Sequence, residues 1–163
     1  MRTAKICIVG DFAVGKTSTV ARVVHNEFSE KYLTTVGVKI DIKNTEGPDG
    51  QPMKLVFWDI AGTDIFSEVE FAYLRGAAGY LLVADGTRAA TLVTAASLRS
   101  EIESRYGRIP FVALLNKSDL ESEWQVSDDE LARSRDEGIL WKPCSAKTGE
   151  NLEEEIKELI ARI

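Results

Sequence analysis

Short strand-like stretches, some alternating and some continuously apolar, are interspersed along this chain with stretches of helical spacing. Lys5-Ile6-Cys7-Ile8-Val9 is a short apolar run with β-branched residues and reads as a strand, while Ser18 to His25 behind it reads as a helix. Asn26 to Gly37 is polar, aromatic-studded and aperiodic, as expected of a surface loop, and loops of this length are usually functional. Val38 to Lys43 alternates as a half-exposed strand, Asn44 to Gln51 is turn chemistry, and Met53 to Trp58 is a second strand, which together predict an antiparallel hairpin. Ala61 to Arg75 reads as a loop giving way to a short helix. Gly79 to Ala84 and Pro110 to Leu115 are continuous apolar runs, the pattern of parallel strands covered on both faces, and helical spacing holds between them from Ala90 to Tyr106. Ser127 and Glu130 form a capping box opening a short helix that stops near Gly138. Ile139 to Trp141 is the last strand, and a helix from Asn151 to Ile163 carries Leu152, Ile156, Leu159, Ile160 and Ile163 on one face.

Strands alternating with helices after an opening hairpin predict the α/β class, with a mostly parallel sheet of about six strands and helices on both faces. At 163 residues, with 44% hydrophobic residues and no internal repeat, low-complexity tract or linker, the chain reads as a single domain over residues 1–163. The formal net charge of −6, with no basic stripe, argues against a nucleic-acid backbone as the main partner. The two cysteines, Cys7 and Cys144, make no disulfide framework and no metal-ligand spacing, so a reduced cytosolic compartment is the expectation. No signal-peptide pattern precedes the first strand, and no apolar stretch is long enough to span a membrane. The single His25 reads as an ordinary helix residue.

Chemistry enters at Gly10-Asp11-Phe12-Ala13-Val14-Gly15-Lys16-Thr17, which fits the phosphate-binding pattern G-x-x-x-x-G-K-[ST] between a strand and a helix. Gly10 and Gly15 allow the backbone to turn its N–H groups onto a β-phosphate, and the start of the helix adds the dipole and Ser18. Lys16 can reach β- and γ-phosphate oxygens, and the Thr17 hydroxyl can ligate Mg²⁺. Asp59, at the end of the hairpin's second strand in Asp59-Ile60-Ala61-Gly62, can hold Mg²⁺ through water, and Gly62 lets a backbone N–H approach a γ-phosphate. Asn116-Lys117-Ser118-Asp119 follows another strand. The Asp119 carboxylate matches the paired N–H donors of guanine and repels adenine, Asn116 can tie this loop to the phosphate loop, and the Lys117 stem can lie along the base. Ser145-Ala146-Lys147 after the last strand would bring the Ala146 N–H to guanine O6. Each of these motifs falls at a predicted strand's C-terminal end, where doubly wound sheets bind ligands.

With these motifs in order, the chain resembles the Ras superfamily of small GTPases over nearly its whole length, the Rab branch most of all. The resemblance implies the G-domain fold of P-loop NTPases, with one antiparallel strand in the sheet. It implies bound GTP or GDP with Mg²⁺, with backbone contacts to the nucleotide from Asp11, Phe12, Ala13, Val14 and Gly15. Thr35 looks like the switch I threonine, using its hydroxyl on Mg²⁺ and its N–H on the γ-phosphate. Asp59 to Gly62 looks like the head of switch II, and Phe28 sits where the family packs an aromatic ring against the base. Phe71-Ala72-Tyr73-Leu74-Arg75-Gly76-Ala77 is similar to a Rab segment. Ile40, Trp58 and Tyr73 resemble the triad Rab proteins present to effectors, with Ile in place of the usual Phe. By the same likeness, effectors, an exchange factor and a GTPase-activating protein would meet the switch surface of a monomer.

The sequence also departs from the family. Thr63 stands where most members carry a Gln that orients the attacking water, so slow intrinsic hydrolysis is expected; the Rap branch has Thr here too and uses an activator's side chain. Phe12 replaces a small residue and would either obstruct an arginine finger or shield the γ-phosphate, or else point to solvent or pack on switch II. The chain ends at Ile163 without a C-a-a-X box: either a tail is missing here or the protein is a non-lipidated relative. Two readings follow, a GTP-hydrolysing switch with Lys16, Thr35, Gly62 and Thr63 as its catalytic groups, and a GTP-binding interaction module with negligible turnover.

Overall fold

The computed structural model describes residues 1–29, 35, 37–61 and 66–163. Its elements run β1 (Arg2–Gly10), α1 (Lys16–His25), β2 (Val38–Glu46), β3 (Pro52–Ile60), α2 (Glu68–Ala72), β4 (Gly79–Asp85), α3 (Ala90–Tyr106), β5 (Phe111–Asn116), a 3₁₀ turn (Glu121–Glu123), α4 (Asp128–Asp136), β6 (Trp141–Pro143) and α5 (Leu152–Arg162). The six strands form one sheet in the order β2-β3-β1-β4-β5-β6. β2 is antiparallel to β3 and every other pairing is parallel.

Side chains along β1 alternate between two cores. Ala4, Ile6 and Ile8 pack with Val20 of α1 and Leu152, Ile156 and Leu159 of α5, whereas Cys7 and Val9 face Phe71 of α2 and Leu92, Ala95 and Leu98 of α3. Covering both faces removes the central strands from water, and β4 is accordingly buried at every residue. Cys7 and Cys144 therefore lie on opposite faces as free thiols, and burial raises both pKa values, Cys7 to about 12.

Some boundaries move. β1 starts at Arg2 and the hairpin strands extend to Glu46 and from Pro52, because the backbone ladder continues past the apolar residues that mark a strand in sequence. The turn shrinks to residues 47–51, closed by the Gly47 N–H donating to the Gln51 carbonyl (2.9 Å). The last strand is Trp141–Pro143, not Ile139 to Trp141: the Ile139 N–H donates to the Ser134 carbonyl at the end of α4 (2.9 Å), so this buried apolar residue closes a helix and does not pair in the sheet. The Ser127–Glu130 capping box opens α4 as expected.

Two contacts fix α2 on α3. The Arg105 guanidinium binds both Glu68 carboxylate oxygens at 2.7 Å, and the Tyr106 hydroxyl donates to the Phe71 carbonyl (2.7 Å). The C-terminal ends of β3, β1, β4, β5 and β6 lie along one edge of the sheet, carrying Asp59, the glycine-rich loop, Asp85, Asn116 and Ser145.

Candidate functional site

The loop from Gly10 to Thr17 is shaped by close packing. A Cβ at Gly10 would stand 2.4 Å from the Val83 carbonyl oxygen, and one at Gly15 (φ 100°) would stand 2.2 Å from Asn116 Nδ2. Only glycine lets the loop pass between β4 and the Asn116 amide. Gly15 then caps α1 without a side chain, so the N–H groups of Lys16, Thr17 and Ser18 have no earlier carbonyl of the helix to bind. The carbonyls turn outward onto fixed donors: Ala13 accepts from Lys117 Nζ (3.2 Å), Val14 from Asn116 Nδ2 (3.0 Å) and Gly15 from the Thr19 N–H (2.9 Å). With those carbonyls held outside, the peptide N–H groups are left for an anion inside.

Lys16 is buried and its ammonium donates to the carbonyls of Gly10 (3.2 Å) and Asp11 (2.8 Å). Burial lowers its pKa to about 8, against the opposing pull of the Asp59 and Asp11 carboxylates. The Asp11 side chain is itself turned away from the interior of the loop. Its Oδ1 accepts the Phe12 N–H (2.7 Å) and its Oδ2 accepts from the Thr94 hydroxyl (2.9 Å) on α3.

Beside Lys16, hard oxygens converge. The Thr17 hydroxyl donates to Asp59 Oδ2 (2.5 Å) and lies 2.7 Å from the Thr35 hydroxyl, which is itself 3.5 Å from Asp59 Oδ2. Asp59 is almost fully buried, and burial raises its pKa although the bond from Thr17 and the charge of Lys16 oppose the shift. Its second oxygen, Oδ1, is buried with no hydrogen-bond partner. A carboxylate with one orphaned oxygen beside two hydroxyls suits a small, oxygen-seeking divalent cation completed by ligands from outside the protein. Among the described residues, no cluster of three or more His, Cys, Asp or Glu offers another metal site.

At the other end of the loop, Asp119 Oδ1 accepts from the Ser145 hydroxyl (2.7 Å) and Ser145 Oγ accepts the Thr148 N–H (3.1 Å). This orients the Asp119 carboxylate. Asn116, 2% exposed, spans the site: while Nδ2 holds Val14, its Oδ1 accepts the Ala146 N–H at 3.0 Å. The Ala146 N–H expected at guanine O6 is thus held by the Asn116 side chain here. A buried N–H needs an acceptor, and the Asn116 amide supplies it.

The structure adds residues that no motif announced. Asp85, fully buried at the end of β4, accepts from Lys117 (2.8 Å) and Arg88 Nε (3.0 Å) through Oδ2, and from the Thr87 N–H (2.8 Å) and hydroxyl (2.7 Å) through Oδ1. Burial alone would raise its pKa, but these donors outweigh it and the net shift is downward. Arg22 on α1 donates to the carbonyls of Ala146 (2.9 Å) and Lys147 and to Asn26 Oδ1 (2.9 Å), tying the helix end to the 145–147 loop. The bonds from Lys117 to Asp85 and from Arg22 to residues 146 and 147 join segments far apart in the chain, and the local Asp85–Thr87–Arg88 cluster has no spacing that marks it as part of a site.

Phe28 is half-buried just beyond α1, and Phe12 is 50% exposed. Gly62 and Thr63, and all of Tyr32-Leu33-Thr34-Thr35-Val36-Gly37 except Thr35 and Gly37, lie outside the described residues. Ile40 (49% exposed) pairs with Trp58 across the hairpin, and the Trp58 ring lies 6.1 Å from that of Tyr73 and 3.8 Å from the Lys5 ammonium. The three side chains thus share one surface. No helix among the described residues is long and apolar enough to cross a membrane.

Comparison with known proteins agrees with this geometry. The Ras family model matches residues 5–163. The Ras-related protein Rab-7L1 of Rattus norvegicus is 34% identical over 166 aligned positions, which cover 98% of this chain and 81% of that protein; the Homo sapiens protein of the same name matches at the same identity and coverage. The Ras-related protein Rab-32A of Dictyostelium discoideum is 34% identical over 168 positions, covering 98% of this chain and 77% of the relative. The chain belongs to the Ras family of GTP-binding small GTPases, on its Rab branch.

Proposed function

We propose that the protein is a guanine-nucleotide switch that binds GTP and GDP with Mg²⁺ and hydrolyses GTP slowly without an activator. The observation that carries this reading is the convergence of Thr17, Thr35 and Asp59 beside the Lys16 ammonium, with Asp59 Oδ1 left unpartnered. Mg²⁺ held by this set would neutralise charge on phosphate oxygens. The loop from Asp11 to Gly15, with Ser18, wraps the phosphates and offers them its N–H groups other than that of Phe12, which Asp11 holds, and Lys16 reaches the β- and γ-oxygens. Asp119 pairs with the guanine edge, Lys117 lies along the base and Phe28 packs against it, while Ser145, Ala146 and Lys147 carry the loop that orients Asp119.

Thr35 lies within reach of Thr17 and Asp59, where its hydroxyl would join Mg²⁺ and its N–H a γ-phosphate, contacts that would be lost on hydrolysis. The GTP state then fixes the surface of Ile40, Trp58 and Tyr73, where effectors, an exchange factor and a GTPase-activating protein dock on a monomer in a reduced, cytosolic compartment. Gly62 and Thr63 complete the catalytic set with Lys16 and Thr35. Thr63 has a short, β-branched hydroxyl where water must be oriented, which makes intrinsic turnover slow.

Single-turnover GTP hydrolysis by the purified, Mg²⁺·GTP-loaded protein tests the catalytic half. Slow but measurable phosphate release, abolished in Lys16→Ala, is expected. No release above the uncatalysed background would favour a GTP-binding interaction module instead.

A further inference from the structure

The outward-facing carbonyls of the phosphate loop form a nearly unbroken series, and one of their donors belongs to no nucleotide motif. After Lys117 on Ala13, Asn116 on Val14 and Thr19 on Gly15, the Phe12 carbonyl accepts from Arg88 Nη2 at 2.7 Å. The Phe12 N–H is taken by Asp11 Oδ1 at 2.7 Å, and Asp11 is braced by Thr94. Both polar groups of this residue are thus held by side chains, one anchored on α3 and the other on Asp85.

Such holding has a physical motive. Ala13 adopts φ 59°, a left-handed conformation that a residue with Cβ resists. The carbonyl before it is fixed by Arg88 and its own carbonyl by Lys117, and both cations bind the single buried oxygen Asp85 Oδ2, at 3.0 and 2.8 Å. The clamp therefore straddles the strained residue. Without it, Ala13 is driven towards an ordinary backbone conformation, and the N–H groups on either side leave the positions an anion requires.

The geometry points to Arg88, seated on Asp85, as a positioning residue that clamps the Phe12–Ala13 turn of the phosphate loop and so slows nucleotide release. The inference rests on the loop being the nucleotide site. Its geometric requirement is two donors at fixed separation, Nε to the carboxylate and Nη2 to the carbonyl. Lysine keeps the charge but replaces the fork's two separated nitrogens with one, so it cannot reproduce both bond positions.

The test follows release of a fluorescent GDP after mixing with excess unlabelled GDP, for the parent, Arg88→Lys, Arg88→Ala, Ala13→Gly and the double variant Ala13→Gly/Arg88→Lys. Both Arg88 variants should release GDP about tenfold faster than the parent, as expected for losing a hydrogen bond made by a charged donor. Their preference for guanosine over xanthosine nucleotides should stay at the parent value, because Asp119 is untouched. Glycine accepts the left-handed conformation freely, so the Arg88→Lys effect should fall to about threefold or less in the Ala13→Gly background. Parent-like release from Arg88→Lys would overturn the clamp, and an undiminished Arg88→Lys effect in the Ala13→Gly background would overturn its link to the strained turn. A parent that retains no GDP would contradict the nucleotide reading itself, an outcome distinct from both.

Discussion

Replacing Asn116 with alanine tests the joint that holds the site together. Its side chain is 2% exposed and bridges the Val14 carbonyl to the Ala146 N–H, at 3.0 Å on each side. Truncation leaves both groups buried and unpaired, at about 1–3 kcal/mol each and therefore about 2–6 kcal/mol together. For a chain of this size each kcal/mol moves the thermal midpoint by about 2–4 °C, so Asn116→Ala should unfold about 4–24 °C below the parent. Because the lost bonds also fix the phosphate loop against the 145–147 loop, GDP release should accelerate by more than about tenfold. Thermal unfolding with and without GDP, together with fluorescent-GDP release, measures both effects. Asn116→Asp refines the argument, since it keeps an acceptor for Ala146 but turns an oxygen towards the Val14 carbonyl oxygen. A midpoint within about 2 °C of the parent, with unchanged release, would refute the reasoning, since two orphaned buried groups cannot be that cheap.

Other consequences can be measured separately. Thr63→Gln should speed single-turnover GTP hydrolysis at least several-fold, since it restores a side-chain amide where water is positioned; no gain there, with a gain in Phe12→Gly, would shift the cause to the ring at position 12. Trp58→Ala should abolish capture of a GTP-state partner, because this half-buried ring is braced by Lys5 and Tyr73 and exposes area that docking would cover; retained capture by a folded variant would sink that surface assignment. Asp85→Asn should cost about 2 kcal/mol of unfolding free energy at pH 7. Because the folded pKa of Asp85 is lowered, its contribution is complete above the unfolded value near pH 4 and is lost as pH falls through the lowered folded value. Denaturant titrations should therefore show parent and variant converging in acid, and a gap as wide in acid as at pH 7 would contradict the assignment.

How much of this was legible in the sequence depended on how local the signal was. The glycine loop, Asp59, Asn116 to Asp119 and Ser145 each sit at a strand end with their motif contiguous, so spacing sufficed to place them on one edge of the sheet. The helix Ala90–Tyr106 was readable because its apolar spacing persists over its whole length. Ile139 misled because burial at a helix end looks like burial in a strand, and only the backbone partner distinguishes them. Asp85, Arg88 and Arg22 stayed silent for a different reason. Each acts through contacts set by tertiary packing, such as Arg22 to the carbonyls of residues 146 and 147, and a lone Asp or Arg in a polar stretch has no pattern that announces such a partner. The orientation of Phe12 likewise depended on the Arg88 and Asp11 bonds to its backbone.

The central claim, recognition of a guanine nucleotide, rests on Asp119 held by Ser145 at 2.7 Å. Competition for labelled GDP by GTP, XTP and ATP, run in parallel on the parent and on Asp119→Asn, tests it most directly. The parent should be displaced efficiently by GTP and poorly by XTP and ATP, while Asp119→Asn should lose guanine affinity and turn towards XTP, whose C2 oxygen accepts from the new amide. Equal displacement of the parent by ATP and GTP, or an Asp119→Asn protein that keeps the parent's order, would contradict the account.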